Sequence, residues 1–268
     1  MGLIRGGLLV IASVLFFVSL LVMGIFLTLD LSLEYENVQP ELSAVVFEMA
    51  NEEQDLTKEV EGNYDVMQLY CQNNSEYVYN EEGYEFVVPC EVVAQGSGAV
   101  VEYGVDDFVE SVYYDEYDCN FLDCFEKFSE EGEPPFFLVS QKANDYCHSK
   151  FFLFLVISIL LAVLIFFLVE SKTSFPLTVG SLLLISALPF AKLESIFGFM
   201  SESFSGLFSI FISKSYRVFL VMFVIGLIVL GFGIVLKFFK IGFKISGFFQ
   251  RFKKKDSGKN VSKVEKIV

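Results

Sequence analysis

Apolar and polar positions along this chain fall into long blocks. Leu8 to Leu29 (LLVIASVLFFVSLLVMGIFLTL) is an uncharged run of 22 residues. As a helix rising about 1.5 Å per residue it covers a hydrocarbon layer of about 30 Å. Three more apolar runs follow at 150–169, 175–191 and 218–236 and predict further transmembrane helices. The third of the four is short and carries Pro176 and Pro189, which leaves a re-entrant hairpin as its alternative. Gly226, Gly231 and Gly233 in the fourth would let another helix approach closely.

The blocks between these runs have other periods. In 30–149, Leu42, Val45, Val46, Met49, Leu56 and Val60 recur at helical spacing and predict a helix over 40–60 with Pro40 at its start. After Gly62 the pattern changes to alternation. Tyr77 and Tyr79, then Asn80-Glu81-Glu82-Gly83, then Tyr84, Phe86 and Val88 read as a hairpin, with Pro89 at an edge or bulge. Gln95-Gly96-Ser97-Gly98 predicts another turn and Ala99–Tyr103 a third strand, followed by one or two short helices in 106–128. Pro134-Pro135 breaks the chain, and Ser140 is placed to cap a helix that runs into the second span. The segment 192–217 is too polar to span and too apolar for a free loop, so it predicts helices lying in the membrane interface.

Composition agrees with a bilayer: 54% of residues are hydrophobic, 32 are Phe and none is Trp. The formal net charge of −15 hides two opposite blocks. From Asp30 to Cys147 there are 29 Asp plus Glu against Lys58, Lys127 and Lys142, a net of −26, whereas 237–268 holds 10 Lys plus Arg against Asp256 and Glu265, a net of +8. Lys and Arg are retained on the cytoplasmic side of a membrane, and Arg5 precedes the first span. The expectation is a cell-membrane protein with both termini cytoplasmic and 30–149 outside. The layout is then 1–7 inside, 8–29 span one, 30–149 the acidic domain, 150–169 span two, 170–174 a cytoplasmic turn, 175–191 span three, 192–217 at the outer interface, 218–236 span four and 237–268 a basic tail. Span one is too long for the apolar core of a cleaved signal peptide and is followed by no A-x-A-like site, so it reads as an anchor. In the tail, Lys237, Lys240, Lys244, Arg251 and Lys255 fall within about 60° of one another at 100° per residue, beside an apolar stripe of Phe238, Ile241, Ile245, Phe248, Phe249 and Phe252. That pattern predicts an amphipathic helix on anionic inner-leaflet lipids, its rival being a basic tail that only fixes orientation.

Candidate chemistry is concentrated in the acidic block. All five cysteines, Cys71, Cys90, Cys119, Cys124 and Cys147, lie there, as expected of disulfides in an oxidising compartment. The hairpin brings Cys71 near Cys90, which predicts that bridge; the other three supply at most one more. Asp115, Glu116, Asp118, Asn120 and Asp123 offer hard oxygen ligands for a cation such as Ca²⁺, without the glycine or spacing of an EF-hand. Asn73-Asn74-Ser75 is a glycosylation sequon on the side expected outside, and Asn260-Val261-Ser262 is one on the side expected inside.

HExxH, GxSxG, P-loop and CxxCH motifs are absent, and His148 is the sole histidine, expected at the membrane surface as an interfacial polar residue. No catalytic residue and no cofactor follow from the sequence. None of the four apolar runs has an ionisable residue in its interior, which argues against proton-coupled transport, and the charge of the acidic block disfavours nucleic acid. MGLIRGGLLVIASVLFFVSLL and SFPLTVGSLLLISALPFAKLE resemble segments of uncharacterised archaeal four-span membrane proteins, and the resemblance implies the same span count without an activity. Tetraspanin CCG and the Trp of claudins are missing. The fold class expected is thus an integral membrane protein, mainly α, with four transmembrane helices and a small disulfide-stabilised α+β extracytoplasmic domain between spans one and two. An interaction or envelope-structure protein is the first functional expectation. A channel-like or accessory subunit of a transport complex is the second, and a membrane enzyme with an interfacial site the third.

Overall fold

The computed structural model describes residues 3–53, 56–81, 84–121, 123–124, 136–193 and 205–261. It is mostly helical, and among the described residues four helical stretches are long and apolar enough to cross a membrane: Ile4–Ser32, Gln141–Leu168, Lys172–Lys192 and Ser209–Phe239. The chain forms two compact units, one of Met1–Val22, Phe154–Ala191 and Phe219–Val268, the other of Met23–Leu153 and Lys192–Val218.

In the first, apolar unit, α1 (Leu3–Ser32) and α6 (Gln141–Leu168) are joined by Ser19 Oγ and Ser158 Oγ, 2.9 Å apart and both buried. A hydroxyl pair of this kind satisfies both polar groups where lipid offers no partner. Arg5 donates from Nε to the Leu168 carbonyl at 2.8 Å and from Nη2 to that of Phe167 at 3.1 Å, and Lys172 Nζ bonds the Phe166 carbonyl. These cations close the C-terminal end of α6, where carbonyls are otherwise unpaired and the helix dipole is negative. The third candidate span is α7 (Phe175–Ala187), with Pro176 in its first turn, extended by a 3₁₀ turn over Leu188–Lys192 that holds Pro189.

Beside it runs α9 (Ser215–Val261), 47 residues without a break, about 70 Å of helix at 1.5 Å per residue. A Cβ added to Gly180 would stand 2.6 Å from the Leu230 nitrogen, and one added to Gly233 would stand 2.8 Å from that of Leu177. Gly226 likewise faces Leu184. The close approach expected of the fourth span therefore occurs at Gly226 and Gly233, with Gly180 supplying the other side. Gly231 faces open space and takes no part.

The acidic unit is built around Val38, Leu42, Met67, Val88, Val93, Val100 and Val109, all fully or nearly fully buried. Here the single helix expected over 40–60 is two, α2 (Tyr35–Glu53) and α3 (Leu56–Tyr70). Pro40 lies inside α2, where it removes one backbone bond, and Met49 is exposed rather than on the buried face. The hairpin forms as read, β1 (Glu76–Glu81) with β2 (Tyr84–Pro89), antiparallel, in the register Tyr77↔Val88 and Tyr79↔Phe86. Those four side chains face the core, while Val78 and Val87, paired on the other face, stay exposed. Pro89 ends β2, where it does not interrupt the ladder.

The third strand expected at Ala99–Tyr103 is overturned. After α4 (Cys90–Val93) and a turn at Gly96, whose φ of 128° suits glycine, that segment opens α5 (Ser97–Tyr113). Val101, Val105, Val109 and Tyr113 make one buried helical stripe. The five-residue apolar run was too short to separate the two periods, and only the stripe's continuation to Tyr113 decides for helix. Residues 114–120 leave the helix, and Pro134-Pro135 lies outside the described residues. Ser140 caps α6 as expected, its Oγ accepting from the Ala143 N–H at 3.4 Å. In the segment 192–217, α8 (Ser205–Ile212) buries Ile210 completely in the core that holds Leu33, Val38 and Leu42, so this side of α8 faces protein.

Candidate functional site

Two polar residues expected merely to flank spans meet in the acidic unit. Asp30 lies in the last turn of α1, and Asn144 and His148, four residues apart on α6, share one helical face. Asn144 Nδ2 donates to the Asp30 carbonyl at 2.8 Å. His148 Nδ1 lies 3.0 Å from Asp30 Oδ1 and 3.2 Å from Oδ2. Since an ionised carboxylate only accepts, Nδ1 carries the proton in this arrangement. The Asp30 side chain is 11% exposed and that of His148 56%. A nearly buried carboxylate thus has a donor at the edge of solvent, with the His148 ring set edge-on to Phe152, centroids 4.9 Å apart. Two residues further along α1, Ser32 Oγ accepts from the Lys214 N–H at 3.2 Å. The end of α1 is therefore held from α6 and from the turn between α8 and α9.

Among the described residues Asp30 is the only hydrogen-bond partner of the His148 ring. Cys147, adjacent in sequence, is a free thiol, but it is buried in the core, because successive helical residues point in different directions. The geometry holds helix ends together. A signal for the pair was present in the sequence: Asp30 is the first charge after the first apolar run and His148 sits just before the second, so an antiparallel pair of helices brings them level.

The cysteines pair as Cys71–Cys90 and Cys119–Cys124, each with Cα atoms 5.4 Å apart. The first closes the open end of the hairpin, where the Cys90 N–H also donates to the Ser75 carbonyl at 2.9 Å. Around Asp115, Glu116, Asp118, Asn120 and Asp123, as elsewhere among the described residues, no three His, Cys, Asp or Glu side chains are grouped to hold a metal ion. Within the loop closed by Cys119–Cys124, Asn120 Nδ2 donates to Asp123 Oδ2 at 3.3 Å. Tyr117, Phe121, Cys124, Phe137, Ser140 and Lys142 close together with no room for water between them.

Tyr113 donates to the Leu33 carbonyl at 2.9 Å, and its hydroxyl is pushed up to about 12, first by burial and then by Tyr114, Asp145 and Glu34. Tyr117 is pushed up to about 12 by burial and by Asp115. Asn73 is exposed just after α3, in a turn where its N–H donates to the Tyr70 carbonyl. Lys237 is exposed on α9. Lys240, Lys244, Arg251 and Lys255 share that helical backbone, and their side chains lie outside the described residues, as does the structure around Ser262. The chain matches no known protein-family model, no curated protein and no solved structure.

Proposed function

We propose that this chain is a multi-pass membrane protein whose acidic unit faces the extracytoplasmic side and serves as an interaction or envelope-structure protein, without an enzymatic activity or cofactor of its own. The observation that carries this reading is the build of the acidic unit: it holds two disulfides, and within it Asp30, Asn144 and His148 tie the end of α1 to the first turns of α6. A folded unit crosslinked in this way suits presentation of a surface better than passage of a solute. Disulfides favour an oxidising compartment, and the basic tail favours a cytoplasmic C-terminus. The helical backbone of α9 keeps Lys237, Lys240, Lys244, Arg251 and Lys255 in one stripe, which supports contact with anionic inner-leaflet lipids.

Chemical crosslinking in native membranes, followed by mass spectrometry of the crosslinked peptides, tests the reading. The expected product joins residues of 30–149 to another protein. Crosslinks confined to the apolar helices and leading to a transport protein would overturn it in favour of an accessory subunit. A glycan on Asn260 would overturn the topology.

A further inference from the structure

Helix α3 presents its back to solvent in an unusual way. Its inner face is spent on the core through Val60 and Met67. On the opposite face Val66 is 59% and Leu69 66% exposed, and Tyr70, also exposed, sets its ring edge-on to Tyr77 with centroids 5.5 Å apart. At 100° per residue Gly62, Val66 and Leu69 lie within about 60° of one another, with Tyr70 at the margin.

Gly62 is the informative member. Glycine inside a water-exposed helix weakens it by up to about 1 kcal/mol relative to alanine. Elsewhere in this chain Gly180 and Gly233 are explained by a neighbouring helix whose backbone a Cβ would strike. Among the described residues nothing lies within 4 Å of a Cβ built on Gly62, so no contact with them requires it, and the same is true of Gly98 in the first turn of α5. Gly231 is equally open but lies in a candidate span, where glycine is more frequent. An open glycine in line with two exposed aliphatic side chains is the surface a second helix needs for close approach.

Charge selects the occupant. Along one margin of the stripe lie exposed Lys58, the single cation of α3, then Asp65, with Glu61 further round the helix. A second copy of this chain would set these carboxylates against their own kind, within a segment of net charge −26. We infer that the Gly62–Val66–Leu69 face of α3 docks a cationic amphipathic helix of a partner protein, lysines or arginines flanking its apolar stripe. This deepens the interaction reading above and rests on it.

The test uses the full chain in nanodiscs of zwitterionic lipid, with empty nanodiscs as the blank. The probe is a synthetic helical peptide with a Leu/Ala stripe bordered by lysines, compared with the same residues scrambled. The expected result is binding of the patterned peptide, weakened about tenfold or more by Gly62→Leu and by Leu69→Ser, and unchanged by Phe47→Ser on α2. Gly62→Leu also guards against a folding artefact, because leucine favours helix and should raise the melting temperature while binding falls. Equal binding of the scrambled peptide, undiminished binding by Gly62→Leu, or self-association of the wild-type chain abolished by Leu69→Ser would each overturn the inference. A photo-crosslinking residue at position 69 or position 47 in native membranes separates it from the broader reading. Crosslinks from 47 alone sink the α3 face and leave an interaction protein, whereas sequenced crosslinks from 69 to a Lys- or Arg-flanked apolar segment support it.

Discussion

In the apolar unit the tightest approach is made by glycine, with Gly180 against the Leu230 backbone and Gly233 against that of Leu177. In the acidic unit the fully buried positions include Val38, Leu42, Met67, Val88 and Val109, large enough to fill space themselves. The outward faces differ as well. Along α1 Leu8, Ile11, Val14, Leu15 and Val18 are exposed, whereas α3 exposes Glu61, Asn63 and Asp65 among its apolar residues. Helices whose surroundings are as apolar as their own side chains gain little by burying them, so backbone proximity and hydroxyl pairs hold them together. A unit surrounded by water is driven by burial and confined by crosslinks.

The largest expected effect is in the acidic core. Met67→Ala, which empties a fully buried position, should destabilise that unit by about 2–5 kcal/mol in chemical denaturation while leaving the helicity of the apolar unit intact. Loss of both units together would show that they do not fold by separate rules. Replacing Cys71 and Cys90 by serine should remove about 3 kcal/mol, and replacing Cys119 and Cys124 about 2, because the closed loops span 19 and 5 residues of sequence. Equal losses would mean that loop entropy is not the source.

Alkaline pH probes burial without a mutation. Tyr113 has its folded-state value raised from 10.0 to about 12, so its contribution is complete below pH 10 and is lost as pH climbs through 12. Circular dichroism should show the acidic unit weakening over that window by on the order of 2 kcal/mol, and Tyr113→Phe should flatten the slope. Gly180→Leu should destabilise the apolar unit by about 1–3 kcal/mol in detergent melting, and Gly231→Leu should leave it unchanged, since only the first would strike backbone. The smallest effect belongs to Ser158→Ala, about 0.6 kcal/mol from losing one interhelical hydroxyl bond.

The sequence by itself determined what depends on composition over a whole block or on neighbours in the chain. The four apolar runs, the hairpin through Tyr77–Val88, the Ser140 cap and the Cys71–Cys90 bridge all follow from local period, turn chemistry or short separation. What it misassigned or left open needed partners far along the chain. Ala99–Tyr103 became helix because Val100, Val101 and Val105 found a core to face, and Met49 was left exposed once α2 and α3 divided. Asp30 and His148, 118 positions apart, form a pair only when α1 and α6 stand side by side. Glycine gave the least away in sequence, because Gly62, Gly180 and Gly231 are chemically identical there. What separates them is whether another backbone stands within reach, and only the tertiary structure places that backbone.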